Sequence, residues 1–283
     1  MVTEDNGLLA AKGHENAVYS ETIGYLFKEY KQYDEFFFGA IPEDINQLIC
    51  DNSIVENAAC IINERSVSRH IDLTIFPPGI IGYLASLSKN RRGQIRRSIR
   101  LYEKDGSLQI DEADNVSQAL LYLDQLKALH SDYWQLKGES GSFANPLWEK
   151  FQRELISRRF DAGEIQLLKV SSKCGEIGYL YNIVLNKHVY VIQTGFQRNQ
   201  DKRLMPGYVA HTLAIAYNSS KGMAVYDLLF GDSLYKQILC NRSRKFLWVV
   251  IQRKRLKFIA EKFAVSLVRR YRELSSDKPG NRS

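Results

Sequence analysis

Residues 164–197 read EIQLLKVSSKCGEIGYLYNIVLNKHVYVIQTGFQ, and this stretch decides the fold. It contains three apolar runs rich in Ile, Leu, Val and Tyr, separated by short polar breaks at 173–175 and 186–187. Runs of this length and composition predict strands, and connections of two or three residues between them predict hairpins. The stretch therefore predicts an antiparallel meander of three strands.

The segments on either side of the meander alternate between helical and strand patterns. Upstream, a short strand is predicted at 107–113, followed by helices at 115–134 and 144–163 whose apolar residues recur every three or four positions. Downstream, the pattern predicts a helix, a strand, a short helix and a last strand, at 206–222, 223–231, 233–241 and 245–252. This order predicts an α+β domain with a mixed, mostly antiparallel sheet and flanking helices.

The two ends of the chain are less regular. Residues 19–41 show a helical face and residues 64–76 read as a strand, which is too little to close a core alone. We therefore expect the first 80 residues to be part of a domain. Residues 253–274 predict a basic amphipathic helix that docks by an apolar stripe formed by Leu256, Ile259, Phe263 and Leu267, followed by a disordered tail.

Composition excludes several classes of protein. The chain has 283 residues, of which 45% are hydrophobic and 25% charged, so we expect it to be fully folded. No stretch approaches 18 uninterrupted apolar residues and the N-terminus lacks the pattern of a secretory signal, so we expect a cytoplasmic location. The cysteines show no C-x-x-C pair and no histidine at zinc spacing, so we expect no metal and four reduced thiols, at Cys50, Cys60, Cys174 and Cys240.

Positive charge is concentrated in two segments. Residues 86–104 carry a net charge of +6 and residues 242–272 a net charge of +10, although the whole chain carries only +7. Such asymmetry indicates an anionic partner, for which tRNA, anionic lipid and a phosphate-bearing cofactor or substrate are candidates, or two helices with solvated basic faces. In the first segment Ile95 and Ile99 would point inward and the arginines outward, and the absence of interleaved aromatic residues weakens a nucleic-acid interpretation.

Several blocks of sequence together resemble one family. Residues 86–106, 123–156, 177–196, 203–222 and 226–239 resemble, in this order, the GNAT superfamily of N-acyltransferases. They are most similar to the branch associated with bacterial cellulose and exopolysaccharide gene clusters, which is itself similar to the Fem-type aminoacyl ligases with two GNAT-like lobes. No G-x-S-x-G, H-E-x-x-H, Walker A or tandem-glycine dinucleotide motif supports a different enzyme class.

The resemblance implies a domain organisation. It covers residues 82–257 strongly, which predicts a GNAT acyltransferase domain at 81–257. Members of this branch carry a fuller first lobe, so residues 1–80 are expected to form a partial, truncated GNAT-like lobe. Residues 258–283 would then hold the rest of the basic helix and the tail.

The resemblance also implies an acyl donor, acetyl-CoA or another acyl-CoA. Its pyrophosphate would bind at the start of the helix at 206–222, because a helix N-terminus offers free N–H groups and the positive end of the helix dipole. The family pattern Q/R-x-x-G-x-G/A is reduced here to RLMPGYV, with one glycine instead of two. The predicted donor-binding residues are Gln193, Arg203, Gly207, Tyr208, Val209 and Lys236.

Acyl transfer to an amine needs a group that takes a proton from the amine and a group that gives a proton to the leaving group, so a carboxylate or His and a Tyr are the natural partners. The densest polar run beside apolar strand sequence is YDLLFGDSLYK, which supplies the predicted catalytic residues Tyr235, Asp227 and Asp232. Asp232 also suits the N-cap of a short helix and Tyr235 suits packing. Asp227, in an apolar strand, needs a partner or a function. His211 reads as a hydrogen-bonded core histidine.

Three functions remain open from the sequence. The first is an N-acyltransferase that acylates an amine, on a sugar or an exopolysaccharide precursor. The second is a Fem-like transferase that uses aminoacyl-tRNA, which the basic segments suit. The third is a non-catalytic accessory module of polysaccharide biosynthesis.

Overall fold

A computed structural model describes residues 7–50 and 58–261, together with positions 264, 266 and 268. The helices are α1 (Glu15–Glu29), α2 (Asn46–Cys50), α3 (Ile80–Ser86), α4 (Lys89–Tyr102), α5 (Val116–Gln135), α6 (Pro146–Arg159), α7 (Pro206–Ser220) and α8 (Leu234–Leu239). The strands are β1 (Glu35–Pro42), β2 (Ala58–Asp72), β3 (Gln109–Glu112), β4 (Ile165–Ser172), β5 (Gly175–Leu185), β6 (His188–Phe196), β7 (Val225–Phe230) and β8 (Arg242–Arg253). The order predicted from residue 107 onward is confirmed.

The chain divides into two compact units. Ser66–Arg244 makes up nearly all of the first unit, and Thr3–Arg65 together with Lys245–Ser283 forms the second. The predicted boundaries at 80/81 and 257/258 stay predictions. Within the described residues, no helix is long and apolar enough to cross a membrane, and no three or more His, Cys, Asp or Glu side chains are grouped to hold a metal ion.

The first unit is a sheet between two layers of helices. Its strands lie in the order β2-β7-β6-β5-β4-β3, and all neighbours are antiparallel except the parallel pair β6 and β7. One core packs helices α3, α4 and α7 on one face, and a second packs α5 and α6 on the other. The predicted α+β class with a mixed, mostly antiparallel sheet is confirmed.

Local sequence accounts for the hairpin at the centre of this sheet. Asn186 and Lys187 both have positive φ, at 50° and 63°, which is the backbone of a two-residue hairpin turn. The turn joins β5 directly to β6, as residues 164–197 predict. On α4, Ile95 and Ile99 are buried, which confirms the inward stripe of that basic helix.

Helix α1, strands β1 and β8 and their neighbours form the core of the second unit. The helical face expected within residues 19–41 belongs to α1, which ends at Glu29, whereas residues 35–42 are a strand that the sequence did not indicate. The reason lies in residues 36–38: Phe36 and Phe38 pack on the core while Phe37 is 63% exposed, so the aromatic run has the two-residue period of a strand.

Two expectations about the second unit differ from what the described residues show. Cys50 and Cys60, expected as reduced thiols, are joined in a disulfide, because the fold brings their Cα atoms to 5.4 Å. The helix after β8 was expected to dock by its apolar stripe, yet Leu256 is 84% and Ile259 66% exposed. The rest of that stripe, Phe263 and Leu267, and most of the predicted segment 258–283 lie outside the described residues.

Candidate active site

The two parallel strands of the first unit separate towards their ends. Strand β6 pairs with β7 only over His188–Tyr190 and Val225–Asp227. Beyond this pairing, the register of β6 against β5 shifts at residues 191–193. Strand β6 then stays paired with β5, whereas Phe230 at the end of β7 pairs with β2. A cavity of about 740 Å³ borders on the separated ends.

The cavity is lined from four places in the unit Ser66–Arg244. These are the last turns of α5, the end of β6 with the loop after it, the first turns of α7, and the segment from the end of β7 into α8. The lining combines aromatic rings with polar and cationic side chains, and it includes Leu129, His130, Tyr133, Trp134, Lys137, Gln193, Phe196, Arg198, Gly207, Tyr208, His211, Phe230, Tyr235 and Lys236.

Helix α7 presents its N-terminus to this cavity. Pro206 is its first residue, and its N-cap, Met205, makes no side-chain cap. The first backbone bond of the helix runs from the Val209 N–H to the Met205 carbonyl, at 3.0 Å. The amides of Gly207 and Tyr208 therefore precede the intrahelical hydrogen bonds, as a phosphate site requires.

The predicted donor-binding residues occupy different surroundings. Gln193 and Tyr208 line the cavity, and Gln193 Nε2 donates to Ser142 Oγ at 3.0 Å. Gly207 also lines it, and a Cβ there would be 3.3 Å from the Phe196 ring. The side chain of Val209, by contrast, is fully buried in the core.

Arg203 and Lys236 both hold partners within the chain. Arg203 lies outside the cavity lining, and its Nη2 is 2.6 Å from Asp201 Oδ2; this hydrogen-bonded guanidinium lowers the pKa of Asp201 to about 2. Lys236 is buried and its ammonium donates to the carbonyls of Leu228, at 2.6 Å, Leu229, at 3.2 Å, and Phe230. Phosphate binding by these two cations stays a prediction.

Tyr235 is the predicted catalytic residue that lines the cavity. Its ring stacks on His211, with centroids 6.0 Å apart and an angle of 21° between the planes. Burial raises the pKa of Tyr235 to about 12. The phenol is therefore protonated at neutral pH and has a proton to donate.

The two predicted catalytic carboxylates are not among the lining residues. Asp227 Oδ1 accepts the Leu229 N–H at 2.7 Å and the Ser68 hydroxyl at 3.2 Å, and Oδ2 is 3.3 Å from His188 Nε2. Leu229 has a φ of +61°, so this carboxylate secures a left-handed residue at the bend of β7. The expectation that Asp227 needs a partner is met by these three groups.

Asp232 forms an ion pair with Arg69, and this hydrogen bond lowers the pKa of Asp232. The sequence also allowed Asp232 to be the N-cap of a short helix. This alternative is wrong, because the N-cap of α8 is Ser233. The predicted catalytic roles of Asp227 and Asp232 stay untested.

Buried histidines complete the cavity. His211 is 1% exposed, and its Nδ1 lies 3.1 Å from the Tyr226 hydroxyl, as expected of a hydrogen-bonded core histidine. Burial lowers its pKa to about 3. His130 of α5 was missed by the sequence reading, which took this helix only as a periodic apolar stripe; the available signal was a His and a Trp four residues apart, which share one helix face.

Several solved structures have a similar fold. A conserved protein of unknown function from Bacteroides thetaiotaomicron is 11% identical, with a TM-score of 0.59 over 86% of this chain and 77% of the other. The C-terminal domain (DUF2156) of an Agrobacterium fabrum protein assigned as a lysylphosphatidylglycerol synthetase is 12% identical, with a TM-score of 0.54 over 92% and 79%. FemX is 8% identical, with a TM-score of 0.53 over 81% and 77%. At these identities the likeness shows the fold alone.

No curated protein matches the sequence. A family model described as "Acetyltransferase (GNAT) domain" matches residues 89–237, which is more than half of the chain. The matched region runs from the start of α4 into α8 and includes all of the residues that line the cavity. The chain therefore belongs to the GNAT acetyltransferase domain family.

Proposed function

We propose that this protein transfers an acyl group, acetyl in the simplest case, from acyl-CoA to an amine. The observation that carries the proposal is the cavity beside the separated ends of β6 and β7, with the free amides of Gly207 and Tyr208 and the phenol of Tyr235 in its lining. A pyrophosphate at the start of α7 and a proton donor in the same cavity are what such a reaction needs.

The reaction would proceed by direct attack. The amine nitrogen forms a bond to the acyl carbon, the carbonyl electrons move to the oxygen, and the carbon–sulfur bond breaks as the tetrahedral species collapses. Tyr235 gives its phenolic proton to the departing thiolate, and the proton released by the nitrogen leaves to water. Because the phenol is protonated at neutral pH, no prior activation of Tyr235 is required.

The proposed acceptor is an amine on a sugar or an exopolysaccharide precursor. The branch that the sequence resembles supports this class. The aromatic lining of the cavity, which includes Tyr133, Trp134 and Phe230, suits packing against the apolar face of a sugar ring.

A second candidate donor is aminoacyl-tRNA. The fold is similar to that of FemX, and the basic helix α4 adjoins the start of α7, where the Met205 N–H donates to Ser98 Oγ at 3.0 Å. Arginines on α4 would then add phosphate contacts beside the same helix N-terminus.

A non-catalytic accessory module of polysaccharide biosynthesis is the third alternative.

Calorimetric titration with acetyl-CoA tests the proposal. We expect binding by the full chain, and a loss of about 1–3 kcal/mol of binding free energy in Gly207→Val, because the added side chain blocks approach to the amides and meets Phe196. Gly93→Val is the matched control: Gly93 is a helical glycine on α4 whose Cβ would meet nothing within 4 Å. Unchanged affinity in a folded Gly207→Val protein would exclude the α7 site, and no binding by the parent would favour the other two functions.

A further inference from the structure

The charged side chains that line the cavity are all cationic. Among the described residues of the lining, Lys137, Arg198 and Lys236 are basic and none is Asp or Glu. The two histidines of the lining, His130 and His211, are neutral at physiological pH, because burial lowers their pKa values to about 4 and about 3. The lining therefore carries a net positive charge.

Two of these cations are accessible from the cavity. Lys236 is buried, and its ammonium already binds the carbonyls of residues 228–230. Lys137 and Arg198, by contrast, are exposed, and neither forms an ion pair with a residue in 7–50 or 58–261. Both can therefore bind an anion that enters the cavity.

Aromatic residues of α5 position the ammonium of Lys137 at the cavity wall. Its Nζ lies 4.6 Å from the ring centroid of Tyr133 and 5.3 Å from that of Trp134, and both rings line the cavity. These distances are within the range of cation–π interactions. The Tyr133 phenol also raises the pKa of Lys137, with a smaller contribution from Glu139, which lies outside the lining. Lys137 is therefore charged at neutral pH, and it retains N–H donors for an anion.

Arg198 lies at the same end of the cavity as Lys137. A second, smaller cavity of about 380 Å³ is lined by Asp132, Gln135 and Leu136 of the α5 end and by Arg198 of the loop after β6. The loop therefore lies against the end of α5, and Lys137 directly follows Leu136. Asp132 is near Arg198 in this arrangement but does not line the larger cavity.

The end of α5 and the start of α7 reach the cavity from opposite faces of the sheet. Helix α7 packs on the core that includes α3 and α4, and α5 packs on the core that includes α6. The proposed function assigns the donor's pyrophosphate to the amides of Gly207 and Tyr208, on the α7 face. Because the thioester end of the donor carries no charge, Lys137 on the α5 face is left for the other reactant.

We propose that the acceptor carries a phosphate or a carboxylate in the same molecule as its amine, and that Lys137 and Arg198 bind this anionic group. The inference rests on the proposed function and names the substrate class of the same site. A positively charged cavity attracts the anionic group and favours the neutral amine, which is the form that attacks, over the ammonium ion. Amines without an anionic group should therefore be poor acceptors.

Matched amines test the inference without relying on turnover. Glucosamine is compared with glucosamine 6-phosphate, which adds a phosphate, and with glucosaminic acid, which adds a carboxylate. Each is titrated calorimetrically into the full chain saturated with CoA. We expect at least one anionic amine to bind about 10-fold more tightly than glucosamine. This preference should shrink when KCl is raised from about 50 to about 300 mM, because salt screens exposed charges.

Variants of Lys137 assign the effect to this side chain. Lys137→Gln should weaken binding of the preferred anionic amine about 10-fold, leave glucosamine binding nearly unchanged and keep acetyl-CoA affinity within about twofold. Lys137→Arg keeps the charge and should recover most of the lost affinity, and Arg198→Gln should resemble Lys137→Gln. Lys150→Gln is the matched control, because Lys150 is an exposed lysine on α6 outside the cavity lining.

Kinetics with the preferred amine give a second readout. Lys137→Gln should raise KM for the amine about 10-fold and change kcat by less than about threefold, because the anionic group is bound equally in the ground state and the transition state. A variant whose kcat falls while KM for the amine stays constant would contradict the inference.

The calorimetric outcomes separate this inference from the proposed function. If acetyl-CoA binds but neither anionic amine binds more tightly than glucosamine, the inference is overturned and the proposed function stands. If Lys137→Gln weakens acetyl-CoA as much as the anionic amine, the lysine binds the donor, which also overturns the inference. If acetyl-CoA does not bind to the parent, the proposed function fails and takes the inference with it.

Discussion

The residues of the predicted site are of two kinds: some line the cavity, and others bind neighbouring groups of the protein and support its walls. Tyr235, Gln193 and Tyr208 line the cavity, whereas Asp227 and Arg203 hold partners outside the lining. Residue type and spacing do not distinguish these two situations, because a carboxylate beside an apolar strand suits either role. Contacts in three dimensions separate them.

Tyr235→Phe tests the proton donor. Removing the hydroxyl should leave acetyl-CoA affinity and thermal stability nearly unchanged and lower kcat about 100-fold, the lower end of general acid catalysis. Tyr217→Phe is the control, since its phenol binds Glu112 at 2.6 Å and lies outside the cavity lining. Because the pKa of Tyr235 is about 12, loss of its proton should not reduce kcat between pH 7 and 9. Full activity of Tyr235→Phe would assign the acid to another group.

At the scale of secondary-structure elements, the end of β7 is the feature that shapes the site. Leu229 is in the left-handed region at a position where a branched aliphatic side chain is strained. Asp227 binds the Leu229 amide, and the Lys236 ammonium binds three consecutive carbonyls at 228–230. Together these two charged groups stabilise the bend that separates β7 from β6.

Lys236→Met tests whether this lysine supports the bend or binds phosphate. If it supports the bend, its loss leaves the carbonyls of residues 228–230 without a charged donor, and the free energy of unfolding should fall by about 1.5–3 kcal/mol. Urea unfolding measures this, with the exposed Lys150→Met as control. A variant as stable as the parent that binds acetyl-CoA more weakly would indicate the phosphate role predicted from the sequence.

For the whole molecule, the two buried histidines predict how stability depends on pH. The pKa of His211 falls to about 3 and that of His130 to about 4 in the folded chain, against about 6.5 in the unfolded chain. Below pH 6.5 the unfolded state therefore binds protons that the folded state does not, so the contribution of these two groups to stability is present above pH 6.5 and is lost as the pH falls to about 4 for His130 and about 3 for His211.

The expected slope is about 1.4 kcal/mol per pH unit for each histidine below pH 6.5. Urea unfolding at pH 7.5, 6.5 and 5.5 measures it, because most carboxylates remain ionised in this range. His130→Asn should flatten the slope by about one proton. A stability that is constant from pH 7.5 to 5.5 would contradict the burial of neutral histidines.

The sequence by itself determined the order of the elements from residue 107 onward. Periodicity in residues 164–197 and in the helices around them is a local property, and Asn186–Lys187 set the central turn. The same local information placed Gly207 and Tyr208 at the start of α7, because Pro206 favours the first position of a helix.

Only the tertiary structure decided which side chains share the cavity. His130 and Gln193 are 63 residues apart in the numbering and line the same space because α5 packs on the face of the sheet beside β6. The strand at 35–42 likewise pairs with β8, more than 200 residues further along the chain. Periodicity encodes which face of an element is buried, but not which distant element covers it, and so the shared lining of the cavity and the bend of β7 had to be found in the fold.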